Sequence, residues 1–438
     1  AGSLLEMLGY QPSECGQQLN GLIESADGAA PTLTQIGSAF QREKQSSQDT
    51  MKLVLTDEQK SVERDIRRLM NLPEVAASLR AADDWGFDPF QLNEVTGSKP
   101  LQVLAYHLME QHGVMQALRL DSARLAIFLA EIEKGMPSSN PYHNSVHVAH
   151  VVQNMHVCIT QGGLGEYMGM VEILAALLAA VVHDFEHMGL NNDILVKIGH
   201  DWALAYNDRA PNENHHSSAA FRLLQRNDCN FMRPLHRSVQ AHVRKLVIDM
   251  VLATDMGEHH RIVSLLKTDL LNRIQTIQDE KCVGNGAAGG VQGDLVNRPA
   301  STSLFPDHGG SEKRLDTVGT SLMLCGAIKV CDIGHSYADV AVHIRWSELL
   351  EEELYKQGDL EMSLGLPLSY LMDRGKAGVT KSQVGFFDFV VKPLAVAWSQ
   401  CFPAFGKVLL KRLEVNLQHW QQFPRTESGA TAITQSSK

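Results

Sequence analysis

From Thr56 to about Phe423, apolar residues recur at i, i+3 and i+4 in one segment after another, while period-two runs of Val, Ile and Thr are scarce. A chain patterned at 3.6 residues cannot keep one face buried as a strand, so it is confined to helices packed on helices. Segments 100–118, 121–134, 145–160, 170–183, 215–226, 236–253, 258–278, 318–331, 337–356 and 383–420 carry the pattern and favour Ala, Leu, Met, Glu and Lys. Thr56, ahead of DEQKSVERDIRRLM, is a candidate N-cap, with Val62, Ile66 and Leu69 on one face of the helix it opens. The expected fold class is all-α.

With 438 residues, 44% of them hydrophobic, the chain can bury a large core. Fifty acidic side chains against 39 basic ones leave a net charge of -11, which repels a polyphosphate backbone, and no basic run outweighs it, so nucleic acid is excluded as a partner. The longest uninterrupted apolar run, Ile173 to Val182, has about half the length of a membrane span, so no span is expected. Seven cysteines without a CxxC pair are neither a disulfide framework nor a zinc ribbon, which points to an intracellular, cytoplasmic setting. The chain begins Ala-Gly-Ser and reads as a piece excised from a longer one.

Residues 1–55, rich in Gln, Ser, Gly and Thr, are expected to be a flexible linker or the remnant of a regulatory region. An N-terminal helical segment, 56–95, precedes the main domain, 96–423. Residues 281–312 hold seven of the 34 glycines and read as a loop insertion; 363–381 reads as a second loop and 424–438 as a disordered tail. A homodimer could form through residues ahead of the main domain.

Seven of the 19 histidines fall in three short stretches: NPYHNSVHVAH, VVHDFEHMG and PNENHH. His143 and His147 are four apart and point the same way on a helix. His183 and Asp184 end the apolar run at the rim of a core, where an imidazole and a carboxylate suit Zn²⁺ or another borderline ion. His147 and Asp332 supply a second His/Asp pair, and two His with two Asp make a site able to activate water for phosphate ester cleavage. HDFEH also mimics the zincin H-E-x-x-H, but its acid would be displaced to Glu186. From spacing alone, Glu213 and His216 could equally form an ordinary helix N-terminus, and Phe386 with Leu350 an ordinary core pair.

Taken in order, NPYHNSVHVAHVVQNMH, HDFEHMGLNND, LAYNDRAPNENHH, VLATDM, CDIGHS and SQVGFFDFVVKP resemble the catalytic domain of the class I cyclic nucleotide phosphodiesterases. The string QGDLEMSLGLPLSYLMDR and the NPYHN sequence are similar to the calmodulin-stimulated branch. The resemblance implies a compact HD-type metal phosphohydrolase domain of three helical subdomains. It implies that His147, His183, Asp184 and Asp332 hold a Zn²⁺ ion, and that Asp184 bridges to Mg²⁺ or Mn²⁺, whose waters are held by His187, Glu213 and Thr254. Asn192, His216 and Asp255 match supporting positions.

The implied reaction is attack on the cyclic phosphate by a metal-bridged hydroxide, with His143 protonating the leaving O3′ as general acid. Gln383 would pair with the purine edge, Phe386 and Leu350 would clamp its faces, and Tyr142 and His335 would line the same pocket. His335 stands where cAMP-selective relatives carry Asn, so both cAMP and cGMP are plausible substrates. Another HD-type metal phosphohydrolase and a catalytically silent cyclic-nucleotide-binding module are the alternatives.

Overall fold

A computed structural model describes residues 54–286, 314–376 and 378–422. The expected linker, most of the 281–312 insertion and the 424–438 tail lie outside the described residues. Among the described residues there is no strand, and every regular segment is helical.

Most helices begin where local chemistry marks a start. Thr56 and Gln59 form a reciprocal capping box, each side chain accepting the other's backbone amide at 2.9 and 3.1 Å. Asp88, Asp121, Asn144, Asn191 and Asp316 cap in the same sense. Prolines 73, 89, 100 and 211 occupy first helical positions, where no amide proton is missed. The short helices Asn192–Lys197 and Asp201–Ala205 are absent from the sequence reading, being too short to show a period, whereas Pro73–Ala81 and Pro89–Val95 fall within the segment 56–95.

Two long helices expected from the pattern are interrupted by π-turns. The 383–420 segment divides into Val379–Phe386, a π-turn at Phe387–Val391, Lys392–Cys401 and Pro403–Gln422, because the π-turn shifts the register and Pro403 removes a donor. The 258–278 segment carries a second π-turn, Leu266–Leu270, and its last helix, Leu271–Gly286, extends into the expected insertion. The 363–381 connection is anchored: the Glu361 carboxylate accepts both the amide and the hydroxyl of Ser369, each at 2.7 Å.

From Thr56 onward the helices form one compact unit. At its centre lies Met170–Val182, every residue of which from Ile173 to Val182 is buried. It packs against Arg237–Thr254, Ser145–Thr160 and Pro100–Gln111, and Thr317–Asp332 packs against the first two of these. Burying each large aliphatic side chain contributes about 1.5–3 kcal/mol, so sliding this helix, and with it its C-terminal end, would cost several such contributions. The Asp57–Met70 helix lays Ile66 on its own unit beside Pro100–Gln111 and Ser122–Lys134. No helix among the described residues is long and apolar enough to cross a membrane.

Candidate metal centre and active site

Three helix ends meet on one side of the core. His147 lies in the first turn of Ser145–Thr160, His183 is the C-cap of Met170–Val182 with Asp184 beside it, and Asp332 ends Thr317–Asp332. Two of these are C-terminal ends, whose free carbonyls add partial negative charge to that of the two carboxylates, so the site favours a cation. Close approach of the helices requires Gly334, because a Cβ there would stand 2.1 Å from the Asn154 amide nitrogen.

The distances have the dimensions of a coordination shell. His147 Nε2 lies 3.2 Å from Asp332 Oδ1 and 3.4 Å from Asp184 Oδ2; His183 Nε2 lies 3.1 Å from Asp184 Oδ2 and 3.5 Å from Asp332 Oδ1. A tetrahedral ion with ligands at about 2.0–2.1 Å places those ligands about 3.3–3.4 Å apart. His183 Nδ1 donates to the Ala180 carbonyl at 2.9 Å, which leaves Nε2 as a lone pair. That nitrogen and Asp184 Oδ2 are buried without a hydrogen-bond partner, a costly arrangement unless something binds both. Burial works against both carboxylates, yet the positive charge they draw onto His183, which an ion at Nε2 would replace, and the His147 hydrogen bond to Asp332 hold them well below the usual carboxylate range.

A second group, Asp184, His187 and His216, also brings its ligand atoms within 4.8 Å of one another. His216 Nδ1 donates to the Phe185 carbonyl at 2.6 Å, leaving an Nε2 lone pair 4.0 Å from Asp184 Oδ1. His187 Nδ1 instead accepts the Gly189 amide at 2.9 Å, so its Nε2 carries the proton and suits holding a water. Glu213 lies in the first turn of Pro211–Leu223; it accepts from Asn192 at 2.9 Å, and burial pushes its carboxyl up to about 7. The helix is launched from a strained turn in which Asn207, Asp208 and Ala210 have φ of 55°, 61° and 44°. The Thr254 hydroxyl donates to the Val251 carbonyl at 2.7 Å and keeps its lone pairs.

His143 stands just ahead of the Asn144 cap, its ring stacked on that of His187 with centroids 4.0 Å apart. Its Nδ1 bonds Glu353, whose other carboxylate oxygen accepts the Tyr142 and His143 amides at 2.9 and 3.0 Å. Burial opposes protonation of His143, but the Glu353 carboxylate overrides it and raises the pKa to about 9. Glu186 turns away from this centre to His215, 2.7 Å off, which removes the zincin-like reading of HDFEH.

Comparison with known proteins agrees with this geometry. Residues 142–413 match the model of the 3',5'-cyclic nucleotide phosphodiesterase family. The chain belongs to that family. It is 37% identical over 322 residues to the Drosophila melanogaster "Dual specificity calcium/calmodulin-dependent 3',5'-cyclic nucleotide phosphodiesterase 1", covering 73% of this chain and 34% of that one. It is 31% identical over 363 residues to the Caenorhabditis elegans "Probable 3',5'-cyclic-AMP phosphodiesterase pde-4", covering 83% of this chain and 49% of that one. The chain thus spans half or less of the length of these relatives. The fold is similar to the crystal structure of the phosphodiesterase domain of the RhoPDE fusion protein from Salpingoeca rosetta, with a TM-score of 0.63 and 24% identity over 81% of this chain and 97% of that one.

Of the positions expected to line the base pocket, Gln383 and Phe386 lie on Val379–Phe386 and Leu350 on Val340–Ser363. Gln383, on Val379–Phe386, is buried; its nitrogen donates to the Val379 carbonyl at 3.2 Å and its Oε1 has no partner. Phe386 and Leu350 are each half-buried, not sealed into the core. Tyr142 packs between His143, His147 and Trp346, with centroids 4.7–5.2 Å away. His335 stacks on His343, their Nδ1 atoms 3.1 Å apart, and His343 Nε2 accepts the Trp420 indole proton at 2.7 Å. Rings run from Tyr142 through His335 and His343 to Phe387, joining the metal side to the helix that bears Gln383.

Glu353, which holds His143, is absent from the sequence reading. In LLEEELYK it reads as one acid of a solvated face, but it shares a face with Trp346 and Gln357 at spacings of seven and four, and that inward stripe is the signal that could have found it.

Proposed function

We propose that this helical unit hydrolyses the 3' ester bond of 3',5'-cyclic AMP and cyclic GMP to the 5'-monophosphates, with Zn²⁺ at the four-ligand site and Mg²⁺ or Mn²⁺ at the Asp184 face. The observation that carries the reading is the set of 3.1–3.5 Å separations from each of two imidazole nitrogens to each of two carboxylate oxygens, with a buried lone pair on His183. When bound, two divalent ions would supply the charge that makes water a nucleophile near neutral pH and neutralises the phosphate oxygens. His147, His183, Asp184 and Asp332 would hold the first; Asp184 would hold the second, with His187, Glu213 and Thr254 orienting its waters.

His143 would hand its proton to O3′ as the ester bond breaks. Glu353 keeps that proton in place, and nearby cations would lower the His143 pKa from about 9 toward neutrality, the range suited to a general acid. The unpartnered Gln383 Oε1 supports an amide that reads a purine edge, and the half-buried Phe386 and Leu350 support a clamp on its faces. Dimerisation through residues ahead of the catalytic helices would need a surface other than the face of Asp57–Met70 that carries Ile66, which its own unit covers.

Steady-state hydrolysis of cAMP and cGMP side by side, with Zn²⁺ and Mg²⁺ present and then chelated, tests the reading. Metal-dependent release of 5'-monophosphate from both is the expected result. Binding without turnover would make the unit a sensor, and preference for non-cyclic phosphate esters would make it a different phosphohydrolase.

A further inference from the structure

Among the described residues Lys329 is the only buried lysine, with 3% of its surface exposed, and it sits one turn before Asp332 on Thr317–Asp332. Its ammonium donates to three successive carbonyls at the end of the neighbouring Arg237–Thr254 helix: Ala253 at 2.9 Å, Thr254 at 3.3 Å and Asp255 at 3.2 Å. Three donors meet three acceptors, which are the kind of carbonyls a helix C-terminus leaves unpaired. Water or a glycine cap satisfies such groups at far less cost than a buried cation, so the end of a helix does not by itself account for a lysine here.

Location accounts for it. The three carbonyls belong to the turn that presents the Thr254 hydroxyl, and the same turn continues to His259, whose Nε2 donates to the Val390 carbonyl at 3.2 Å in the π-turn after Gln383. Lys329 therefore ties the Thr254–Asp255 turn to the helix that ends in Asp332, across a helix pair with no covalent link nearby.

We propose that Lys329 is a positioning residue for the second ion: it touches neither ion nor substrate, and it fixes the Thr254–Asp255 turn relative to Asp332 so that the ion's waters find their acceptors. The proposal rests on the two-ion reading above. A role through charge alone predicts the opposite sign, because removing a nearby positive charge should tighten cation binding.

The test is Mn²⁺ binding to the zinc-loaded protein, followed by the paramagnetic resonance signal of free Mn²⁺, in wild type, Lys329→Met and Lys329→Gln. Lys329→Met should weaken Mn²⁺ binding about tenfold, the usual scale for an outer-shell partner, with zinc content unchanged. At saturating Mg²⁺ its KM for cyclic nucleotide should stay within about twofold of wild type. Lys329→Gln keeps two donors, guards against a misfolded Met variant and should recover part of the loss. Unchanged or tighter Mn²⁺ binding in either folded variant overturns the proposal. Wild-type protein that binds no second ion would instead overturn the two-ion reading, and this proposal with it.

Discussion

His143 and Glu353 are joined across 210 residues of sequence: one carboxylate oxygen bonds the imidazole Nδ1 while the other takes the backbone amides of residues 142 and 143. A single buried side chain thus fixes the ring, its backbone and its charge. The pairing links the loop ahead of Ser145–Thr160 to the middle of Val340–Ser363.

Glu353→Gln should lower turnover by about 10- to 100-fold, part of the 10²–10⁴ that a positioned acid contributes. It should also move the alkaline limb of the pH profile. The carboxylate raises the His143 pKa to about 9, so neutralising Glu353 lowers that pKa and the acid form is lost at lower pH. The pH dependence of kcat/KM for the two proteins measures this, and an alkaline limb that stays in place would separate Glu353 from the acid.

His143 and His147 differ by four residues and should fail differently. His147→Ala, His183→Ala and Asp184→Ala should each lose bound metal and abolish hydrolysis, since each opens the four-ligand site. His143→Ala should retain metal and lose about 10²–10⁴ in turnover, with a smaller loss on a nitrophenyl phosphodiester whose leaving group needs no proton. Metal analysis alongside kinetics on both substrates distinguishes ligand from acid.

Gln383→Ala should weaken cyclic nucleotide binding by about 1–3 kcal/mol, the scale of leaving a polar edge unpaired. Equal Michaelis constants in variant and wild type, for both cAMP and cGMP, would assign base reading to another residue.

Away from the site, the buried Glu133 accepts the Leu101 amide at 2.9 Å and the Gln102 amide group at 2.6 Å, and burial pushes its carboxyl up to about 7. Its pKa is raised on folding, so the stability it contributes is present below the ordinary carboxylate pKa and is lost as pH rises through about 7. Glu133→Gln removes that proton. Between pH 5 and pH 8, wild type should lose about 1–3 kcal/mol relative to the variant in denaturant unfolding. Parallel pH curves for the two proteins would place the Glu133 pKa in its ordinary range.

The sequence alone determined the helical class, the burial of Ile173 to Val182 and the residue types at the metal centre, because each is written in local period, composition or short spacing. A helix start was legible at Thr56, where a side chain caps its own turn. Tertiary structure decided what depends on distant partners. Glu353 looks solvated until Val340–Ser363 packs against the Tyr142 loop, and Lys329 looks like an ordinary surface cation until Arg237–Thr254 brings its carbonyls alongside. The π-turn after Gln383 and the pairing of Glu186 with His215 are likewise invisible to periodicity. Each is set by where one helix ends against another, a free-energy balance among residues that may lie two hundred positions apart.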